Sequence, residues 1–316
     1  MLQRLRHARL VPDGARPGSV TGAPSFIRIS RGAFVRTGEW EELFAEGRLC
    51  TRAQAVAARC NTPSSAYSHW TAAALHDLPV YRVRSDRVDL IVPGEHTRRD
   101  SKDARRHQLP LPEKDVTVVE GMRVTTLDRT VYDVIRAASL EAAVACFDAA
   151  LRKVAWDDAQ RAYDVVAAEQ FRELVLARIV HASGARGIRQ ARFVTPFADG
   201  RAQLPGESIA RLWMHLLGVP APVLQLRVDR GGGRFALLDF AWPTLGRWAE
   251  FDGEGKYSDP MVRGDLPREE VLRAQHAREA DIRRITGWRV DRFGFDRMPD
   301  IDAFATYLRT VGLHHR

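Results

Sequence analysis

The sequence has few cysteines, few lysines and no long apolar run. Its three cysteines, Cys50, Cys60 and Cys146, are widely spaced and form no C-x-x-C pair, which argues against a disulfide framework and a structural zinc site. No apolar run of about 18 residues is present, so a membrane span is not expected. The basic N-terminus lacks the apolar core of a signal peptide, and we therefore expect a cytoplasmic protein.

The sequence also lacks the motifs of several enzyme classes. We find no P-loop, no Rossmann glycine pattern and no nucleophile elbow, which leaves little support for a small-molecule enzyme. The composition that is present is ordinary for a globular protein, 45% hydrophobic and 28% charged. The 316 residues are enough for two domains.

The charge balance is basic. A net charge of +8 and a pI near 9.8 favour a polyanionic partner such as DNA. Among the 48 cationic residues, the lysines are Lys102, Lys114, Lys153 and Lys256. Because such an arginine bias also follows from genome base composition, charge alone favours DNA only slightly.

Changes in composition divide the chain into four segments. Residues 1–25 are rich in proline and glycine and are predicted to be loop or disordered. Residues 26–183 combine strand-like and helical patterns and predict an α+β region. Residues 184–203, with three glycines and Pro196, are interpreted as a linker, and residues 204–316 as a second domain.

The second domain has the predicted order αβββαβα, which describes a small mixed sheet flanked by helices. Periodicity predicts helices at 206–217, 267–285 and 301–311, and strands at 223–228, 235–242, 248–252 and 287–293.

A hairpin in this domain carries the most informative residues. Asp239 lies on its first strand, and Glu250 and Asp252 share one face of its second strand. If the residues near 242 pair with those near 247 or 248, Asp239 falls opposite Glu250 to Asp252. Three carboxylates on one face repel one another unless a cation lies between them, and oxygen ligands suit Mg²⁺ or Mn²⁺. The pattern therefore predicts a metal site.

Each of these acids also has a structural explanation. Glu207 stands in the first turn of a helix, where the helix dipole favours a carboxylate. An arginine partner would account for Asp239, and Glu250 and Asp252 fit an exposed polar strand face. Lys256 fits an ordinary solvated lysine.

Four segments of the second domain resemble the very-short-patch-repair-like endonucleases of the PD-(D/E)XK superfamily. They are Pro205–Leu212, Leu238–Pro243, Ala249–Gly253 and Gly287–Phe293. The resemblance implies a restriction-endonuclease-like fold and a divalent metal that activates water for phosphodiester cleavage.

The same resemblance implies roles for individual residues. Glu207, Asp239 and Glu250 correspond to the catalytic acids, and Asp239, Glu250 and Asp252 to the metal ligands. Aspartate stands at 252, where the D/E-x-K pattern has lysine, and Lys256 then takes the catalytic lysine role. Arginines on the next helix would contact the DNA backbone, namely Arg273, Arg278, Arg283 and Arg284. Acids alternate with them, which also fits a solvated, salt-bridged helix.

The first region resembles the AbiEi-type antitoxin proteins. The resemblance is carried by Arg31–Val35, Ser68–Pro79 and Val124–Val134. It implies a degenerate winged-helix remnant, in which residues 26–35 form the wing, and a cognate toxin as partner.

Two functions follow from these patterns. One is a metal-dependent DNA endonuclease linked to toxin–antitoxin systems or phage defence. The alternative is a non-catalytic antitoxin-like or transcription-regulatory DNA-binding protein with a degenerate nuclease fold.

Overall fold

The computed structural model describes residues 7–12, 25–59, 64–83, 86–94, 100–253 and 268–314. The chain divides into two compact units, one of residues 3–154 with 165–198 and the other of residues 155–164 with 199–316. Each unit combines helices and β-sheet, so the mixed α and β class expected for both halves is confirmed. In the described segments, no helix is long and apolar enough to cross a membrane.

The first unit contains two sheets. A three-stranded antiparallel sheet has the order β1-β3-β2 and is followed by two helices, and a five-stranded mixed sheet has the order β6-β5-β4-β8-β7. The strands are β1 Val11–Pro12, β2 Phe26–Ser30, β3 Ala33–Arg36, β4 Ala66–Tyr67, β5 Val88–Ile91, β6 Ala104–His107, β7 Val116–Val119 and β8 Met122–Thr125. The helices are α1 Thr37–Glu42, α2 Ala45–Ala57, α3 His69–Leu75, α4 Leu127–Ala137, α5 Leu140–Ala155, α6 Val165–His181 and α7 Ile188–Phe197.

The structure differs from the predicted boundaries near residues 11 and 188. Val11 pairs with Phe34 and forms part of a strand, although residues 1–25 are predicted to be loop; residues 1–6 and 13–24 lie outside the described residues. Residues 184–203 are predicted to be a linker, but they contain α7, which belongs to the first unit. Helical spacing of the buried residues Ile188, Ala191 and Val194 explains this helix.

The second unit has the order αβββαβα that periodicity predicts, preceded by a small hairpin. The hairpin consists of β9 Trp156–Asp157 and β10 Ala162–Tyr163, which the sequence analysis assigns to the first region. The remaining elements are α8 Pro205–Leu216, β11 Val223–Gly231, β12 Arg234–Trp242, β13 Arg247–Phe251, α9 Arg268–Thr286, β14 Arg289–Phe293 and α10 Ile301–Val311.

The main sheet of this unit is mixed, as expected. β11, β12 and β13 are antiparallel neighbours, and β14 adds to β13 in parallel. Trp242 pairs with Arg247 and Phe240 with Ala249, so the predicted hairpin register is confirmed.

Helices cover both faces of this sheet. On one face, Trp248 packs in a buried cluster with Ile282 of α9. On the other, Phe251 contacts the ring of Phe293, and Phe293 contacts Phe304 of α10. Because strand side chains alternate, Glu250 points toward the α9 face. The strand thereby brings two of the predicted acids, Glu250 and Asp252, beside α9.

Candidate functional site

Asp239 lies where the hairpin strands separate. The ladder between β12 and β13 ends at Phe240, and Asp239 Oδ2 accepts the backbone N–H of Phe251 at 3.1 Å. From the other side, Gln225 of β11 donates its side-chain amide to Asp239 Oδ1 at 3.1 Å. Gln225 has φ +49, a left-handed backbone that non-glycine residues adopt at a cost. The Asp239 carboxylate therefore connects all three antiparallel strands.

Glu250 is buried, with 5% of its surface exposed, and guanidinium groups engage both of its oxygens. Arg278 of α9 donates to Oε1 and, at 2.7 Å, to the carbonyl of Leu237. Arg292, its neighbour on β14, donates to Oε2 at 2.6 Å. A buried carboxylate is costly unless it is paired and hydrogen-bonded, and these two arginines satisfy that condition.

Arg292 is the centre of this cluster. It donates to both oxygens of Asp252, at 3.0 and 3.1 Å, and through Nε to Glu279 at 2.7 Å. Burial lowers the pKa of the Arg292 guanidinium, but Glu250, Asp252 and Glu279 outweigh burial and hold the pKa above its ordinary value. The cluster therefore supplies, from the chain itself, the positive charge that adjacent carboxylates require.

These residues line an open cleft of about 280 Å³, which we call the Glu250 cleft. Its lining consists of Glu250, Asp252, Ala274, Gln275, Arg278 and Arg292. The cleft is smaller than most small-molecule sites, and four of its six lining residues are charged.

Glu207 has a different environment. It lies in the first turn of α8, is 3% exposed, and accepts the backbone N–H of Gln203 at 2.9 Å. A carboxylate that reaches back to the chain before a helix satisfies a donor at the helix start. The preceding residue, Gly206, lies against the ring of Phe251, on the sheet face opposite Glu250. Glu207 is thus not among the residues that line the Glu250 cleft.

The acids as arranged do not fit a divalent cation. In the described part of the chain, no group of three His, Cys, Asp or Glu side chains could hold a metal ion. The oxygens of Glu250 and Asp252 accept from arginines, and those of Asp239 accept from amides. Lys256, predicted to be the catalytic lysine, lies outside the described residues.

The four arginines predicted to contact DNA fall into two groups. Arg278 is partly buried and donates to Glu250 and to the carbonyl of Leu237. Arg273, Arg283 and Arg284 are exposed, the last with 70% of its side chain accessible despite a 3.6 Å contact with Asp281. We call these three residues the α9 arginines.

Arg292 and Glu279 belong to the cluster, although the sequence pattern does not indicate them as site residues. Arg292 meets Glu250 only through the parallel pairing of β14 with β13, which joins positions 42 residues apart. Glu279 follows Arg278 on α9 and reaches Arg292 at 2.7 Å. The one local signal was the unusual density of charge in Arg289–Arg292, a strand that also has to pack against a core.

A second polar cluster lies in the first unit. His107 Nε2 is 2.9 Å from Oδ1 of the buried Asp89, and the His107 ring stacks on His69 at 3.9 Å. Burial and the neighbouring His107 lower the pKa of His69 to about 3, so His69 is neutral at physiological pH. His69 has φ +48 and its Nδ1 lies 3.0 Å from Ser68 Oγ. The cluster ties α3 to β5 and β6.

Comparison with known proteins finds relatives without an assigned activity. Uncharacterized proteins from two Mycobacterium tuberculosis strains, CDC 1551 / Oshkosh and ATCC 25618 / H37Rv, are each 33% identical to this chain over 192 residues. The match covers 54% of this chain and 66% of each relative, so the chain spans just under two thirds of their length. No family model and no solved structure matches the chain.

Proposed function

We propose that the chain is a non-catalytic, antitoxin-like or regulatory DNA-binding protein. Its second unit would be a restriction-endonuclease-like domain. In this domain, arginines form ion pairs with the acids that bind the metal ion in a nuclease. The observation that carries the proposal is the engagement of both Glu250 oxygens by Arg278 and Arg292. The αβββαβα order and the mixed sheet support the relationship to the very-short-patch-repair-like endonucleases.

Arginine pairing changes what the Glu250 cleft can do. A metal-dependent nuclease needs carboxylate oxygens that are open to the ion and a water that the ion activates. Here the guanidinium groups of Arg278 and Arg292 occupy the lone pairs of Glu250, and Arg292 also occupies Asp252. The ion pairs fix α9 on β13 and β14, so the cleft stabilises the helix that carries the DNA-contacting residues.

The DNA surface would be the exposed side of α9. Arg273, Ala277, Ala280 and Arg284 recur at helical spacing and are all exposed, so they form one stripe. From Arg273 to Arg284 the stripe extends roughly 16 Å along the axis. The alanines leave room for a phosphate backbone, and guanidinium groups are suited to phosphate oxygens.

The first unit would supply the antitoxin-like part. Its resemblance to the AbiEi-type proteins suggests a cognate toxin as a second partner, and the β1-β3-β2 sheet with the two helices after it is what a winged-helix remnant would retain.

A metal-dependent endonuclease is the second candidate. The confirmed hairpin register favours it, because Asp239 reaches the backbone N–H of Phe251, the residue that follows Glu250. That candidate needs Mg²⁺ or Mn²⁺ to displace Arg278 and Arg292 from Glu250.

We expect the α9 arginines to carry much of the DNA affinity. Changing Arg273, Arg283 and Arg284 together to serine should make the slope of log K, where K is the association constant, against log salt shallower by about 3. Each lost phosphate contact reduces the magnitude of this slope by about 0.9. Fluorescence anisotropy with a duplex oligonucleotide in a salt series measures this slope.

A matched variant removes the same charge elsewhere in the second unit. Arg289, Arg297 and Arg309 are also exposed, and their triple change to serine should leave the slope near that of the wild type. Equal slopes in both triple variants would argue against α9 as the DNA surface. Absence of DNA binding by the wild type would refute the proposed function.

A further inference from the structure

Many described arginines of the second unit have carboxylate partners, but two that lie close together do not. Arg230, for example, bonds to Asp281 at 2.7 Å. Arg161 and Arg227 are exposed, and neither makes an ion pair with a carboxylate of the described residues. Unpaired arginines are ordinary on a surface, so only their arrangement can indicate a binding site.

Both of these arginines contact one aromatic ring. The guanidinium carbon of Arg227 lies 3.8 Å from the centroid of Phe235, and that of Arg161 lies 5.0 Å from the same centroid. Phe235 is half-buried on β12, whereas both arginines are exposed. The ring is thus a half-buried support for two exposed, charged side chains.

The fold produces this arrangement from distant segments. Arg227 and Phe235 are diagonal neighbours on one face of the β11–β12 ladder, in which Asp229 pairs with Phe235. Arg161 comes from the turn of the β9–β10 hairpin, where it has φ +50. A left-handed backbone at a non-glycine residue is costly, and here it carries Arg161 toward the ring.

Stacking prepares the guanidinium groups for an anion. An arginine that lies on an aromatic ring keeps its N–H donors at the edge of the plane, where they can reach phosphate oxygens in pairs. At an exposed site the ring itself contributes only about 0.5–1 kcal/mol per cation. Two like charges on one ring also repel each other, and a bound anion would relieve that repulsion.

The neighbouring turn leaves the patch open. Residues 231–233 are all glycine with positive φ, and no atom lies within 4 Å of where their Cβ atoms would be. A large, extended anion could therefore approach the two arginines without meeting other side chains of the turn.

We propose that Arg161 and Arg227, with Phe235 as support, form a clamp for the phosphodiester backbone of nucleic acid. This inference rests on the proposed function and adds to it a second contact surface, on the β11–β12 hairpin. A nucleic acid held there and at the α9 arginines would be fixed at two separate points of one unit.

The test uses the full chain and a duplex oligonucleotide in a salt series. Changing Arg161 and Arg227 together to serine should make the slope of log K against log salt shallower by about 2. The matched double change of Arg297 and Arg309 to serine should leave the slope unchanged. Phe235→Leu, which keeps both charges but removes the ring, should weaken binding with little change of slope.

The same binding measurements distinguish a failure of the clamp from a failure of the proposed function. DNA binding with the slope of the wild type in the Arg161/Arg227 variant would overturn the clamp but leave the α9 surface intact. A wild type that does not bind DNA would overturn both. If the double variant instead lost binding to polyglutamate while keeping its DNA slope, the patch would belong to an acidic protein partner and the clamp would again be overturned.

Discussion

Replacing Arg292 with methionine should lower the free energy of unfolding of the second unit by about 3–5 kcal/mol. Arg292 is the shared partner of Glu250, Asp252 and Glu279, and its loss leaves Glu250 with Arg278 alone in a buried position. An uncompensated buried charge costs more than the pair itself contributes. Urea denaturation followed by tryptophan fluorescence measures the change, and Trp248 at the edge of the cluster reports on it.

Two further variants test whether the ion pairs of Arg292 contribute more to stability than an ordinary surface charge does. Arg289→Met, on the same strand but with 64% of its side chain exposed, should cost less than about 1 kcal/mol. Adding Glu250→Gln to Arg292→Met should recover part of the loss, because the neutral amide needs no counter-charge. An Arg292→Met protein as stable as the wild type would contradict the role of Arg292 as the internal cation, and so would restoration of its stability by Mn²⁺.

Substituting Gly206 with alanine should destabilise the second unit by about 3 kcal/mol. A Cβ on Gly206 would lie 2.0, 2.3 and 2.7 Å from three ring atoms of Phe251, far inside contact distance. Phe251 is 1% exposed and is enclosed by Phe293 and Phe295, so its ring has little room to move. The clash should therefore push α8 away from the sheet, and thermal or urea unfolding measures the cost.

A matched glycine tests this explanation. Gly253 lies two residues beyond Phe251, and its added Cβ would have nothing nearer than 3.6 Å, an ordinary contact. Gly253→Ala should thus change stability by less than about 0.5 kcal/mol. Combining Gly206→Ala with Phe251→Leu should relieve the clash. Equal effects of the two glycine substitutions would show that close packing at Gly206 is not the cause.

The elements of the second unit could be predicted from the sequence because their signals are local. Alternation around Asp239 and Glu250 identifies two strands, and Pro243–Arg247 has the length of a hairpin turn. Adjacent strands with a short turn have few possible registers, so the position of Asp239 relative to Glu250 followed as well.

The partners of these acids could not be predicted, because they come from distant parts of the chain. β14 reaches β13 only after the whole of α9, and the parallel register then sets Arg292 beside Glu250. Three clustered carboxylates indicate that a cation is required. The sequence does not show whether a guanidinium group or a metal ion supplies that charge.

The segment 184–203 illustrates the opposite error. Its glycines and Pro196 suggested a linker, yet Gly187 has φ +77 and lies so close to Arg136 that a Cβ would be 2.0 Å from the Arg136 carbonyl oxygen. A glycine that permits close approach is a packing feature rather than a sign of flexibility. Pro196 is one residue before the end of α7. Tertiary packing therefore overrode the composition signal.

The most direct measurement combines cleavage and retention of supercoiled plasmid with Mg²⁺ or Mn²⁺, for the wild type and for Glu250→Gln. Because arginines pair with the acids of the Glu250 cleft, we predict that the wild type binds the plasmid and slows its migration in a gel without nicking or linearising it. We expect Glu250→Gln to leave the DNA equally uncut. Metal-dependent cutting by the wild type that disappears in Glu250→Gln would contradict the account and would place a working nuclease site in the Glu250 cleft.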